Sequence, residues 1–196
     1  NAQSHSIELG YGLTDRLKLE IEGEQQRQSG DSLSLRGSAI AARYALATPG
    51  EYWIDSAIYA AYGWTEDKHD PQVATIGLLA QKQWGDIIHR ANIFIDREAG
   101  ANRQGGVEIE TRYLALYDYD KRLRPGIEWQ AEWGNTHDFK GWNDQGQHLG
   151  PALYGVLPIA LWDNHRLKYE ASHLIGLSSS APDHATRLKL EYTIQF

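Results

Sequence analysis

From Leu17 to Glu22 the chain reads Leu-Lys-Leu-Glu-Ile-Glu, every second residue apolar and every residue between them charged. A period of two belongs to an extended strand, whose side chains point alternately to opposite faces. Such a strand needs an apolar environment on one side and a polar one on the other.

The pattern recurs almost throughout. Its apolar members are Ile7, Leu9 and Tyr11; Ile40, Ala42, Tyr44 and Leu46; Tyr52, Ile54, Ile58, Ala60 and Tyr62; and Ala74, Ile76, Leu78 and Ala80, ending at Trp84. Further along come Ile87, Ala91, Ile93 and Ile95; Val107, Ile109, Tyr113, Ala115 and Tyr117; and Ile127, Trp129, Ala131 and Trp133. A less regular run covers His148 to Leu157, followed by Leu167, Tyr169 and Ala171, and finally by Leu188, Leu190, Tyr192, Ile194 and Phe196. About eleven strands result, most near the ~9–11 residues that a tilted membrane strand requires. Apolar residues at helical spacing are not sustained anywhere, and no linker or second domain interrupts residues 1–196.

No window reaches the roughly 18 apolar residues of a transmembrane helix. The best, Gly150 to Trp162, is broken by Pro151 and Pro158. A membrane barrel escapes that test, because only alternate residues face lipid. The 7 Trp and 11 Tyr against 3 Phe suit rings placed at a membrane–water interface. Tyr11, Tyr44, Trp84, Tyr117 and Tyr169 fall near one set of strand ends, and Tyr62, Trp64 and Trp133 near the other.

The connections alternate in length. Glu24–Ser32, Thr65–Pro71, Glu98–Gly106, Asn135–Gln147 and Ser178–Ala185 are polar loops. Ala47–Glu51, Gly85-Asp86, Asp118–Gly126 and Pro158–His165 are mostly shorter. Short turns on one rim and longer loops on the other is the asymmetry of outer-membrane barrels. The fold class expected is therefore all-β: a transmembrane up-and-down antiparallel β-barrel in a bacterial outer membrane. Its long loops would be extracellular and its C-terminus periplasmic. Even strand numbers prevail in such barrels, so about twelve strands are expected, with ten as the fallback. Twelve requires a first strand before Asn1, or a run split or merged in the reading. Asn1–Ser6 contain no recognisable signal peptide, so an exported chain would already have lost it.

The face opposite the apolar band carries Lys18, Glu20, Glu22, Arg43, Asp55, Arg90, Asp96, Glu108, Glu110, Arg112, Glu128, Glu132, Lys168, Glu170, Lys189 and Glu191, with His148 near the outer rim. In a barrel these residues line the lumen. Carboxylates outnumber cations there, which favours cationic or neutral solutes if the charges are free. If they pair with one another instead, they close the lumen. Both outcomes fit the pattern.

Chemistry finds little support. There is no cysteine, so disulfides and thiolate sites are excluded. A net charge of -7 argues against nucleic acid as a partner. No Walker loop, dinucleotide fingerprint, HExxH or GxSxG occurs, and no cofactor or enzymatic role is expected. Ser172 and His173 are neighbours on a strand and point to opposite faces, so they cannot act as a nucleophile–base pair. Ser4-His5-Ser6 offers no better constellation. Asp67, His69, Asp70, His137 and Asp138 lie in loops and lack the ligand spacing of a cation site.

Two stretches resemble a known family. Leu9-Gly10-Tyr11-Gly12-Leu13-Thr14-Asp15-Arg16-Leu17 is similar to the "YGLTDRL" hairpin of outer-membrane channels grouped with the phenol meta-cleavage pathway. His148-Leu149-Gly150-Pro151-Ala152-Leu153-Tyr154-Gly155 resembles their "GPVLYG" strand, and Gly176-Leu177 before a polar loop fits their ending. The resemblance implies a transporter-like channel, with hydrophobic or aromatic compounds among its solutes, and it transfers no catalytic residues. In that family the hairpin follows a first strand.

Together these features predict passive movement of small solutes, with outer-membrane lipid as the surroundings. The alternatives are a structural or anchoring barrel, with a partner protein at the lumen or rim, and, more remotely, a barrel hydrolase. Leu188, Leu190, Tyr192, Ile194 and Phe196 resemble the C-terminal signal read by the outer-membrane barrel assembly machinery.

Overall fold

A computed structural model describes residues 2–27, 34–67, 69–100, 102–139, 141–159 and 165–194. The chain is all-β. The strands are β1 (Ala2–Gly12), β2 (Leu17–Arg27), β3 (Ser34–Ala45), β4 (Asp55–Thr65), β5 (Gln72–Trp84), β6 (Ile87–Ala99), β7 (Glu108–Tyr117), β8 (Arg124–Asn135), β9 (Gly146–Pro158), β10 (His165–Gly176) and β11 (His184–Ile194). Each pairs antiparallel with its neighbours in sequence, and β1 closes against β11 into one barrel. We call the rim carrying residues 13–16, 46–54, 85–86 and 118–123 the turn end, and the opposite rim the loop end.

Eleven strands form among the described residues, the number of runs read from the alternation and within the ten to twelve expected. In an up-and-down meander of odd number the first and last strands run the same way, so the seam has to be parallel. β1 and β11 pair in that manner from Ala2↔Ala185 to Tyr11↔Ile194. A parallel ladder satisfies backbone groups as an antiparallel one does, with slanted bonds, so closure leaves no open edge at the seam.

Several boundaries differ from the sequence pattern: β1 begins at Ala2, before Ile7, and β2 runs on to Arg27, into the expected Glu24–Ser32 loop. Tyr52 and Ile54 belong to the turn, and β4 begins at Asp55. Gly50 adopts φ +82°, its N–H donates to Asp55 Oδ1 at 2.6 Å, and Thr48 N–H donates to Glu51 Oε2 at 3.0 Å. These bonds hold residues 48–54 as a compact turn that alternation alone mimics as a strand. At the other end of the chain β11 starts at His184, several residues before the first regular apolar position, Leu188.

The tight connections have local causes. In the first hairpin Thr14 Oγ1 accepts from Arg16 N at 3.3 Å and Leu17 N at 3.0 Å, a side chain standing in for a backbone turn bond. Gly85, at φ +58°, makes the two-residue link between β5 and β6. In the β7–β8 turn, the backbone N–H and guanidinium of Arg122 hold the Asp120 carboxyl below the usual carboxylate range.

The barrel is apolar outside and ionic inside. Ile21 and Ile76 are 60% and 64% exposed, and Ile7, Leu9, Ile40, Ile93 and Ile127 share their outward direction on other strands. The buried apolar side chains form a small cluster, Ile88, Leu114, Leu116, Ala152 and Tyr154, inside the turn-end half. At the turn end Tyr52, Trp53, Trp84 and Tyr119 are exposed as well, and Lys82 Nζ lies 5.3 Å from the Trp53 ring centroid.

Between β9 and β10 the backbones approach so closely that a Cβ on Gly150 would sit 1.9 Å from the His173 carbonyl oxygen. Gly150→Ala is therefore expected to lower stability by about 1–3 kcal/mol through overpacking against backbone. Gly12→Ala, where the added methyl would meet nothing within 4 Å, is the matched control and is expected to be neutral. Thermal unfolding in detergent, followed by circular dichroism, distinguishes the two; equal midpoints would contradict the close approach.

Candidate functional site in the barrel interior

Alternation and register place the whole set of expected lumen residues on the inner face. Thirteen of them line one cavity of about 830 Å³; Lys18, Glu108, Glu132 and His148 lie beyond its wall. The cavity lining runs from Pro49 and Asp55 at the turn end to Thr65 and Val73 at the loop end.

Small side chains create this space. The inward positions of β3–β5 include Gly37, Ala39, Ala45, Ala57, Gly63 and Gly77, and all but Gly77 line the cavity directly. A Cβ on Gly77 would meet the Phe94 ring at 2.6 Å, and Phe94 in turn packs edge-on against Tyr59, 5.7 Å between centroids. On β8–β11 the inward Glu128, Tyr154, Glu170 and Arg187 reach one another and occupy their side of the barrel.

Charges on the filled side are paired. Glu8, Glu20, Glu128 and Glu191 are only 1%, 3%, 1% and 7% exposed. An unpaired buried carboxylate costs several kcal/mol, so each of these needs a cation. Lys18 Nζ supplies three contacts: Glu8 at 3.1 Å, Glu20 at 2.8 Å and Glu191 at 2.5 Å. The contact to Glu20 Oε1 is an ion pair outside hydrogen-bond geometry. Lys189 Nζ reaches Glu8 at 2.5 Å and Glu22 at 3.8 Å, while Lys168 Nζ reaches Glu191 at 2.7 Å. This cluster spans β10, β11, β1 and β2 and stitches the parallel seam from inside.

A second cluster crosses the lumen. Arg187 Nη2 on β11 donates to Glu128 Oε1 on β8 at 2.9 Å and to the Tyr154 hydroxyl on β9 at 2.8 Å, and lies 3.6 Å from Glu170 on β10. The Tyr154 ring in turn carries the Arg90 guanidinium of β6 over its face, 5.7 Å from its centroid. Arg112 pairs with Glu110 and lies 5.7 Å from the Phe94 centroid, and Arg43 Nη2 lies 3.3 Å from Glu20.

Sequence pattern alone missed Arg187, which falls before the first regular apolar position of the last strand. It also missed Glu8, whose place between Ile7 and Leu9 in the alternation was signal enough to find it.

The alternative chemistries are not assembled. Ser172 is buried on the inner face, whereas His173 points outward, with Nδ1 3.0 Å from Thr186 Oγ1 and its ring stacked on His184. His148 is buried, and its Nε2 has no partner among the described residues. Register puts it opposite Gly176, four residues along β10 from Ser172, or about 13 Å at the usual strand rise. Asp67 and His69 form a turn, with His69 N–H donating to Asp67 Oδ1 at 2.9 Å, and His137 N–H donates to Asn135 Oδ1 at 2.9 Å. Among the described residues no group of three or more His, Asp or Glu side chains is placed to hold a metal ion. Leu188, Leu190 and Tyr192 project outward from β11, while Phe196 lies outside the described residues.

No family model matches the chain, and no curated protein matches it either. The likeness to channels of the phenol meta-pathway type thus rests on the two short segments alone.

Replacing Lys18 by Met leaves Glu8, Glu20 and Glu191 short of a shared cation. The expected loss is about 3–5 kcal/mol, the cost of breaking a buried pair from one side. Chemical denaturation of the folded barrel in detergent would reveal it as a lower midpoint. A midpoint shift below about 1 kcal/mol, typical of a solvent-exposed pair, would mean the cluster is solvated rather than structural.

Proposed function

We propose that this barrel is an outer-membrane channel for the passive passage of small polar solutes. One observation carries the reading: a polar-lined cavity of about 830 Å³ extends between the two rims of a barrel whose outer surface is a belt of exposed Ile and Leu. An apolar surface of that extent calls for an apolar neighbour. A closed sheet is one of the two folds that satisfy every backbone group within hydrocarbon. Exposed Tyr and Trp at the turn end suit the interfacial region. The terminal strand, with Leu188, Leu190 and Tyr192 outward, has the form presented to the barrel assembly machinery. Lipid and that machinery are therefore the partners proposed.

The solute is small and polar rather than hydrophobic or aromatic, because carboxylates, guanidinium groups, Gln81 and Asn92 project among the Ala, Gly and aromatic residues of the lining. A solute passing here exchanges water for polar side chains without needing a cofactor or an energy source.

Planar-bilayer recording tests the proposal. Purified protein is expected to give ohmic single-channel currents, and Ala57→Trp, which fills the open side, is expected to reduce them strongly without loss of folding. No current at any voltage would favour a scaffold role, which the Arg187–Glu128 crosspiece would then serve as a plug. The membrane setting has its own test. Ile21→Arg, at the middle of β2, is expected to cost about 2–4 kcal/mol in lipid vesicles. A change near zero, as on a water-exposed surface, would overturn it.

A further inference from the structure

The charges that remain unpaired in the lumen are sorted along its axis. Toward the loop end the inner face of β6–β8 presents Asp96, Glu108 and Glu132, and no described basic group lies within ion-pair distance of any of them. Asp96 accepts a hydrogen bond from Thr75 Oγ1 and lines the cavity. Deeper in the same cavity an uncompensated cation follows, before the Asp55 carboxylate at the turn-end rim, which accepts a hydrogen bond from the Gly50 N–H at 2.6 Å. Arg90 Nε donates to Gln81 Oε1 at 2.8 Å and its guanidinium lies over the Tyr154 ring, but no described carboxylate lies within ion-pair distance. Its two terminal nitrogens have no described partner, so they are available to a solute. Arg43, further round the same wall, has one contact to Glu20, and its buried Nε has no partner.

From this arrangement we infer that the solutes preferred by the channel are small zwitterions. An anion meets the Asp96 carboxylate toward the loop end, and a cation meets the free Arg90 guanidinium deeper in. A molecule carrying both charges aligns with the axial field, its ammonium toward Asp96 and its carboxylate toward Arg90. A guanidinium fork matches a carboxylate in plane, which makes Arg90 the specificity-determining residue. The inference rests on the channel reading above.

β-Alanine and lactamide are isomers, one zwitterionic and one uncharged, so their entry into proteoliposomes separates charge from size. Swelling rates, corrected for protein-free vesicles, are expected to favour β-alanine by about two- to five-fold, the range of a solvated ion pair. Arg90→Gln is expected to bring the ratio toward one, and Asp96→Asn to lower it as well. If Arg90→Gln fails to fold, Arg90→Lys, which keeps the charge without the planar fork, takes its place and is expected to lower the ratio less. Entry of lactamide with no preference for β-alanine would overturn the inference, as would a ratio untouched by the substitutions or raised by Asp96→Asn. Exclusion of both isomers would overturn the channel reading itself.

Discussion

Closure of the sheet at the β1–β11 seam is the constraint on which the remaining structure depends. Ten residue pairs join strands that are about as far apart in sequence as the chain allows, from Ala2↔Ala185 to Tyr11↔Ile194. Until they meet, the barrel has two open edges, and the inner carboxylates have no enclosed lumen in which to find their cations. Lys18 illustrates the dependence: its contact with Glu191 spans 173 positions and exists only in the closed form. The ion cluster and the backbone ladder therefore stabilise one another. Neither a parallel pair nor a buried Lys–Glu contact is strong alone, since desolvation offsets much of the Coulombic gain. Together they place three cations, Lys18, Lys168 and Lys189, against four carboxylates at the one place where the meander's direction does not alternate.

The barrel inverts the ordinary distribution of a water-soluble domain. Its apolar cluster is small, and its large aliphatic side chains face away from the interior. Hydrophobic burial within the chain is correspondingly modest, so cohesion falls to the continuous ladder and to ion pairs in a confined interior, where reduced dielectric strengthens them. That division of labour leaves the cross-section asymmetric. Long charged side chains brace β8–β11, whereas Ala and Gly on β3–β5 contribute nothing that reaches the axis.

Much of this was readable from the alternation. A period of two assigns each residue to a face without reference to any distant contact, which is why Glu20, Arg43, Arg112 and Lys189 could be placed inside from sequence alone. What resisted was non-local or masked by local resemblance. Nothing near Arg187 reveals that its guanidinium will reach Glu128, three strands away, so the beginning of β11 was hidden in a polar stretch. Tyr52 and Ile54 keep the alternation but are bent out of the sheet by hydrogen bonds to Glu51 and Asp55 that a pattern of hydrophobicity does not encode. That the eleven described strands close β1 on β11 is a global property, since no local window contains both. The charged face also left pairing and permeation undecided, because which carboxylates keep a free charge depends on cations brought in from other strands.

That last ambiguity resolves into a division of space rather than a choice. Paired charges gather on β9–β11 and the seam, while two of the unpaired ones, Asp96 and Arg90, border the cavity. A barrel serving only as a scaffold would gain stability by filling about 830 Å³ with side chains, since close packing adds dispersion contacts that a wet cavity lacks. Small residues at inward positions of β3 and β4, Gly37, Ala39, Ala45, Ala57 and Gly63, forgo that gain along one wall of the cavity. A guanidinium left without a carboxylate in the same region forgoes a second. Both losses fall along the cavity wall between the rims, and the passage of a solute proposed above accounts for them together where a requirement for rigidity accounts for neither.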